Sequence, residues 1–161
     1  MATYTIVASG TSPLGPGEIE AGSTVSVNSG DVFIIDPSAD DDVKFEAAGG
    51  GTPDITVLFA TSNANDFKVE FKDSFDVTIG IADNVDISGI DIKADKANSV
   101  DLTAGNGVSI GDYKGSKDGA DTLTFGDNFT TTGEIKTEGG NDSITLGNNA
   151  SVKEINTGKS V

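Results

Sequence analysis

Leu102-Thr103-Ala104-Gly105-Asn106, Leu123-Thr124-Phe125-Gly126-Asp127 and Ile144-Thr145-Leu146-Gly147-Asn148 are three versions of one pentapeptide, spaced 21 residues apart. Stepping back from Leu102 by 23, 24 and 23 residues reaches Ile79-Gly80-Ile81, Ile55-Thr56-Val57 and Val32-Phe33-Ile34. Within each segment the apolar side chains alternate with their neighbours, the period of a strand with one buried face. One strand therefore recurs once per repeat, and a repeat of 20–50 residues is the mark of stacked architectures.

A second line of strands runs out of phase with the first. It begins at Val43, Phe67, Ile90, Tyr113, Ile135 and Ile155, spaced 24, 23, 23, 22 and 20 residues apart. An acidic residue precedes it at Asp42, Asp66, Asp112, Glu134 and Glu154, and a lysine follows at Lys44, Lys68, Lys114 and Lys136. Between the two lines lie the corner pairs Asp83-Asn84, Asn106-Gly107, Asp127-Asn128 and Asn148-Asn149. These residue types tolerate the left-handed backbone of tight turns. The opposite corner varies in length, as insertions into one edge of a solenoid do.

About 22 residues with two or three short strands cannot enclose a core alone. Stacked at about 4.8 Å per coil, they share one apolar column. The sequence therefore predicts an all-β chain, a single-stranded parallel β-solenoid of the β-helix or β-roll kind, with about 5–6 coils of roughly 21–24 residues. Residues 1–30, with Pro13 and Pro16, read as an irregular N-terminal cap, and 31–161 as the repeats of one domain. A β-sandwich is the alternative, but it gives no reason for an acid–apolar–lysine pattern to recur in register.

Composition narrows the chemistry. The 161 residues carry 26 acidic and 10 basic side chains, a net charge of −16, with neither histidine nor cysteine. Every basic residue is lysine. Imidazole bases, thiol nucleophiles and zinc sites are excluded, and so acidic a chain is a poor ligand for a phosphate backbone. No apolar run is long enough to insert into a bilayer. The insertions are too short to build a cleft around paired carboxylates, so the reading is non-enzymatic.

Three surface features attract attention. The acid and lysine lines, if stacked, form a cross-compensated charged face. Thr103, Thr124 and Thr145 form a ladder on the other face, similar to the ice-binding faces of some antifreeze proteins. Gly119-Ala120-Asp121 and Gly140-Asn141-Asp142, each followed by one residue and an apolar one, repeat at the variable corner.

This last motif resembles the Gly-Gly-x-Gly-x-Asp-x-apolar-x repeat of RTX (hemolysin-type) calcium-binding β-roll proteins over roughly residues 118–147. The resemblance implies Ca²⁺ as cofactor, with Asp121 and Asp142 as carboxylate ligands and Gly119, Gly139 and Gly140 as turn residues. It also implies secretion without a cleaved signal peptide, or origin as a fragment of a larger secreted protein. The expectation drawn from all this is a structural or adhesive module of an extracellular, cell-surface or virion assembly. It would engage protein partners, or further copies, through an open solenoid end. Ice binding through the threonine face is the alternative.

Overall fold

A computed structural model describes residues 1–49 and 51–158 and shows a parallel β-solenoid of about six turns with no helix among those residues. The chain opens with β1 (Thr3–Val7), β2 (Glu18–Glu20) and β3 (Thr24–Val27). Two-stranded coils follow: β4 (Asp31–Ile35) with β5 (Val43–Ala47), then β6 (Asp54–Phe59) with β7 (Phe67–Phe71). From there the coils gain a third strand. They are β8 (Asp76–Ile81), β9 (Asp86–Ile87) and β10 (Ile90–Lys93), then β11 (Ser99–Ala104), β12 (Ser109–Ile110) and β13 (Tyr113–Lys114). The next is β14 (Asp121–Phe125), β15 (Thr130–Thr131) and β16 (Glu134–Lys136), and the last described coil holds β17 (Ser143–Leu146) and β18 (Glu154–Asn156).

Each strand pairs in parallel with its counterpart one coil away. One sheet runs in the order β17-β14-β11-β8-β6-β4-β1-β2, the second β18-β16-β13-β10-β7-β5-β3, and the short third β15-β12-β9. Segment 1–30 thus contributes strands to both large sheets, and its irregular stretch is the loop 8–17.

Apolar side chains of the facing sheets fill the column between them. In β11, Val100, Leu102 and Ala104 are buried while Asp101 and Thr103 point outward. In the first coils the column is aromatic: Tyr4 stacks on Phe33 at 5.3 Å between centroids, Phe33 meets Phe45 across the core at 4.8 Å, and Phe45 stacks on Phe71 at 5.4 Å. Each such ring contributes roughly 1.5–3 kcal/mol by burial.

The register differs from expectation at four places. Asp31 and not Val32 pairs with Ile55, so in β4 it is Phe33 that points inward between Val32 and Ile34. Val57 and not Ile55 pairs with Ile79, and Ile92 and not Ile90 pairs with Tyr113. The fourth place is β7. Val43 pairs with Val69 and Phe45 with Phe71, so β7 sits two residues along from the position that the regular spacing implies. Phe67, Val69 and Phe71 all point inward, so a slide of two keeps the buried face buried. The Phe45–Phe71 stack fixes which of the two registers is taken.

Candidate functional site

The candidate site residues lie along the corners and on the outward faces, so the hydrogen bonds between coils position them. At the Asx corners the side chain of one coil accepts the backbone N–H of the next. Asp83 Oδ1 takes Asn106 N–H at 2.7 Å, Asn106 Oδ1 takes Asp127 N–H at 2.9 Å, and Asp127 Oδ1 takes Asn148 N–H at 2.7 Å. The residues that follow, Asn84, Gly107, Asn128 and Asn149, have φ of 58°, 67°, 57° and 56°. That left-handed turn explains why only Asn and Gly occupy these positions.

The two-residue shifts at β7 and β13 rearrange the charged face. Lys44, Lys68, Lys114 and Lys136 do not form one file. Lys44 pairs with Glu70, which pairs with Lys93; Lys93, Lys114 and Lys136 then stack in succession. Lys68 lies instead beside Asp91, and its backbone N–H donates to Asp42 Oδ1 at 2.8 Å. The sliding strand changes the lysine's neighbour without changing its face. Asp66 lies against Gly89, where a Cβ would collide with its carboxylate.

Carboxylates bracket the lysine file. Glu70 bridges Lys72 at 2.7 Å and Lys93 at 2.8 Å, and Glu138 bridges Lys136 at 3.0 Å and Lys114 at 3.5 Å. Burial pushes both carboxyls up, but hydrogen bonds and charge from these lysines outweigh it and hold both below the ordinary glutamate value. The acidic file keeps its expected order only from Asp112 on, where Asp112 Oδ1 accepts Glu134 N–H and Glu134 pairs with Glu154; below Asp112 stands Asp91, whose Oδ1 accepts Asp112 N–H, while Asp42 lies beside Lys68 and Asp66 beside Gly89. Backbone donors thus relieve a stack of like charges.

On the other sheet, Thr103, Thr124 and Thr145 stack in register and are exposed. Beside them Asp101, Thr122 and Ser143 form a second exposed file. The earlier coils interrupt the pattern with Gly80 and Leu58.

The variable corner holds a feature that sequence reasoning missed. Asp121 has no solvent exposure. It stands opposite Val100, which stands opposite Val77, which stands opposite Ile55, so a carboxyl occupies an inward position that is apolar in the three preceding coils; at the far end of the same file stands a second buried carboxyl, Asp31, which accepts Ala2 N–H and Asn28 N–H. Its Oδ2 accepts Ser116 N–H at 3.0 Å and the Tyr113 hydroxyl at 3.2 Å. Burial raises its pKa to about 7, with the Asp142 charge adding to the rise and the Ser116 and Tyr113 hydrogen bonds opposing it. Burial, reinforced by Asp121, pushes the Tyr113 phenol well above its usual value. The clue available in the sequence was positional: two residues before Leu123, the strand alternation assigns Asp121 to the buried face.

Asp142 is half-buried one coil further on, where its Oδ1 accepts the Asp121 backbone N–H at 3.0 Å. Gly119 is required because a Cβ would strike the Asn98 carbonyl, and Gly140, at φ 109°, lies equally close to the Gly119 carbonyl. Gly139 sits against the Lys117 carbonyl. The structure therefore brings the five residues of the glycine–aspartate motif to one corner, where they pack adjacent coils together. Among the described residues, no group of three or more acidic side chains converges closely enough to hold a metal ion.

The last described coil differs from the rest. Among the described residues no strand pairs with the outer edge of β17 or β18. Leu146 is 39 % exposed and Ile155 41 %, whereas their in-register counterparts Phe125 and Ile135 are buried. None of the described residues forms a helix that could cross a membrane. No protein family model, curated protein or solved structure matches this chain.

Proposed function

We propose that this chain is a non-catalytic structural module, a stretch of solenoid built into a larger assembly, its last described coil continued by strand pairing with a partner or with further repeats. The observation that carries the reading is that, among the described residues, nothing pairs with the outer edges of β17 and β18, and Leu146 and Ile155 are exposed where the equivalent residues are buried. Unpaired edges beside apolar side chains are templates for another strand.

The fate of the acidic groups supports a non-catalytic role. Asp42, Asp83, Asp91, Asp112, Asp121 and Asp127 each accept a backbone N–H, and all but Asp121 accept it from an adjacent coil. Carboxylates held in this way serve as rivets between coils. An adhesive or shell component at a cell surface or in a virion fits a rod that presents one charged and one hydroxylated face.

Hydrogen exchange tests the reading. In the isolated monomer the amides of β17 and β18 should exchange far faster than those of β8 and β11, because one side of each strand faces solvent. Protection extending evenly to Asn156 in a monomer would remove the open end on which the role depends.

A second reading draws on the paired hydroxyl files. Thr103, Thr124 and Thr145 beside Asp101, Thr122 and Ser143 make a flat array of exposed groups with the spacing of the sheet, a surface suited to ordering water against ice. Faceted ice crystals grown in the protein's presence would support it, and rounded discs would dismiss it.

A further inference from the structure

We infer that the outer face of the eight-stranded sheet pairs with the same face of a second copy of this chain about a two-fold axis. The inference stands apart from the module reading, since it concerns the side of the solenoid. The two large sheets present different surfaces to solvent. Every outward position of the seven-stranded sheet from β5 to β16, Lys44 to Lys136, carries a charge. On the eight-stranded sheet two central outward files run from Thr3 to Ser143 and from Thr5 to Thr145. Asp101 is the one charged residue in those files, in a chain with 26 acidic and 10 basic side chains. Depletion of charge is what separates the centre of an interface from the rest of a surface.

The strip also has relief. Val32, Ile34 and Leu58 are half-buried outward side chains of β4 and β6. Leu58 leans over Gly80, where a Cβ would come within 2.9 Å of its Cδ2. Past Gly80 the same files hold smaller side chains, Thr103, Thr124 and Thr145 among them, and these are exposed. One half of the face is raised and apolar; the other is low and offers methyl and hydroxyl groups.

A two-fold axis along β8 fits high onto low. Leu58 then rests on Thr103 of the second copy and Ile34 on its Thr124, while Gly80 meets its own copy with no side chain in the way. Asp101 falls opposite the Thr56 hydroxyl, a donor. Asp54 and Asp76 flank the strip at its rim, where Ser99 Oγ and Asn98 Nδ2 already donate to Asp76 at 2.6 Å and 2.7 Å. Both charged sheets stay on the outside, so two chains of net charge −16 meet with no carboxylate buried against another. Strands stacked at about 4.8 Å and roughly 17 Å long give, from β1 to β17, on the order of 1,100 Å² over both partners, the size of a weak interface. The contact is isologous and closes at two.

Sedimentation equilibrium of the 161-residue chain, from low micromolar to millimolar concentration, tests this. The expected species has twice the 16.3 kDa chain mass, and its fraction rises with added salt, because screening weakens the repulsion between two acidic chains. Thr103→Glu and Thr124→Glu each set a carboxylate against an apolar side chain twice per dimer. Each should weaken pairing by on the order of 100-fold, with an unchanged far-ultraviolet spectrum, since both side chains are exposed in the monomer. Thr24→Glu makes the same charge change on the other sheet, beside Lys44, and should leave the dimer intact. The chain has no cysteine, so Thr78→Cys reports the axis. On mild oxidation it should cross-link the dimer, whereas Thr145→Cys, about 29 Å from its copy, should not. A monomer at every concentration and salt overturns the inference, whether ice, another protein or water alone covers the face. So does pairing that weakens with salt, survives Thr103→Glu and Thr124→Glu, is lost in Thr24→Glu, or cross-links through Thr145→Cys in place of Thr78→Cys.

Discussion

Between Tyr4 and Phe75 five aromatic rings follow one another through the core, each centroid within 6.2 Å of the next. Beyond Ile90 the column is largely aliphatic, interrupted by the stacked pair Phe125 and Phe129 and by buried Ser116, Asp121 and Thr137. The N-terminal coils are wide, two-stranded and held by burial of large rings. The C-terminal coils are narrower and three-sided, and chains of side-chain-to-backbone hydrogen bonds at their corners align them. The Asx ladder starts at Asp83, where the aromatic succession has just ended. Polar ladders tie neighbouring coils residue by residue, while aromatic packing supplies more energy; a two-residue shift is accommodated in both halves, at β7 and at β13.

The largest effect that would sharpen this contrast is at Phe71. Phe71→Ala should cost about 3–5 kcal/mol, read as a lower urea midpoint at unchanged slope. Hydrogen exchange should show β5 and β7 opening first, since coils couple mainly to their neighbours. Equal loosening of β14 and β16 would show that the two halves are one cooperative unit.

The next effect is a pH dependence of opposite sign at the buried Asp121 and at the lysine-paired or hydroxyl-bonded surface carboxyls. Asp121, with a pKa near 7 in the folded chain against 3.8 in the unfolded one, binds its proton more tightly when folded. Its contribution to stability is complete below about pH 4, declines as pH rises toward 7 and is constant above that, by on the order of 4 kcal/mol at most. Asp121→Asn should abolish this slope while keeping an acceptor for Ser116 N–H. Glu70 and Asp76 behave the other way: their lowered pKa values mean that stability present at neutral pH is lost on acidification. Urea melts of wild type and D121N from pH 4 to 8 check both signs.

Smaller changes separate ladder from surface. Asp83→Ala removes the acceptor for Asn106 N–H and should cost about 1 kcal/mol, a fall of roughly 2–4 °C in the melting midpoint. Lys136→Ala breaks an exposed bridge to Glu138 and should lower the melting midpoint least of all these changes, and less still in high salt. Millimolar Ca²⁺ is expected to leave the midpoint unchanged, because Asp121 is already committed to Ser116 and Tyr113. A clear rise would show that the corner binds the metal in the folded state.

Much of this was legible along the chain. The 21-residue spacing of Leu102, Leu123 and Ile144 fixes three coils in the register observed, and Thr103, Thr124 and Thr145 stack as that spacing requires. The Asx pairs announce left-handed corners because few other residues accept that backbone. Lys44 and Lys68 were misplaced relative to each other because an alternating strand looks the same after a slide of two. The burial of Asp121 was overlooked because its glycine-flanked motif also describes a turn.

Sequence by itself therefore determined the architecture, since periodicity, strand alternation and turn chemistry are local properties that every coil repeats. Only the tertiary structure decided the registers at β4, β6, β7 and β13, the partners of each lysine and the carboxyls placed inside the core. Each of these depends on which side chain meets which across a coil boundary. Contacts between residues more than twenty positions apart are chosen by packing, by the fit of Phe45 on Phe71 or of Asp121 beside Val100, and neither residue's own neighbours along the chain can specify them.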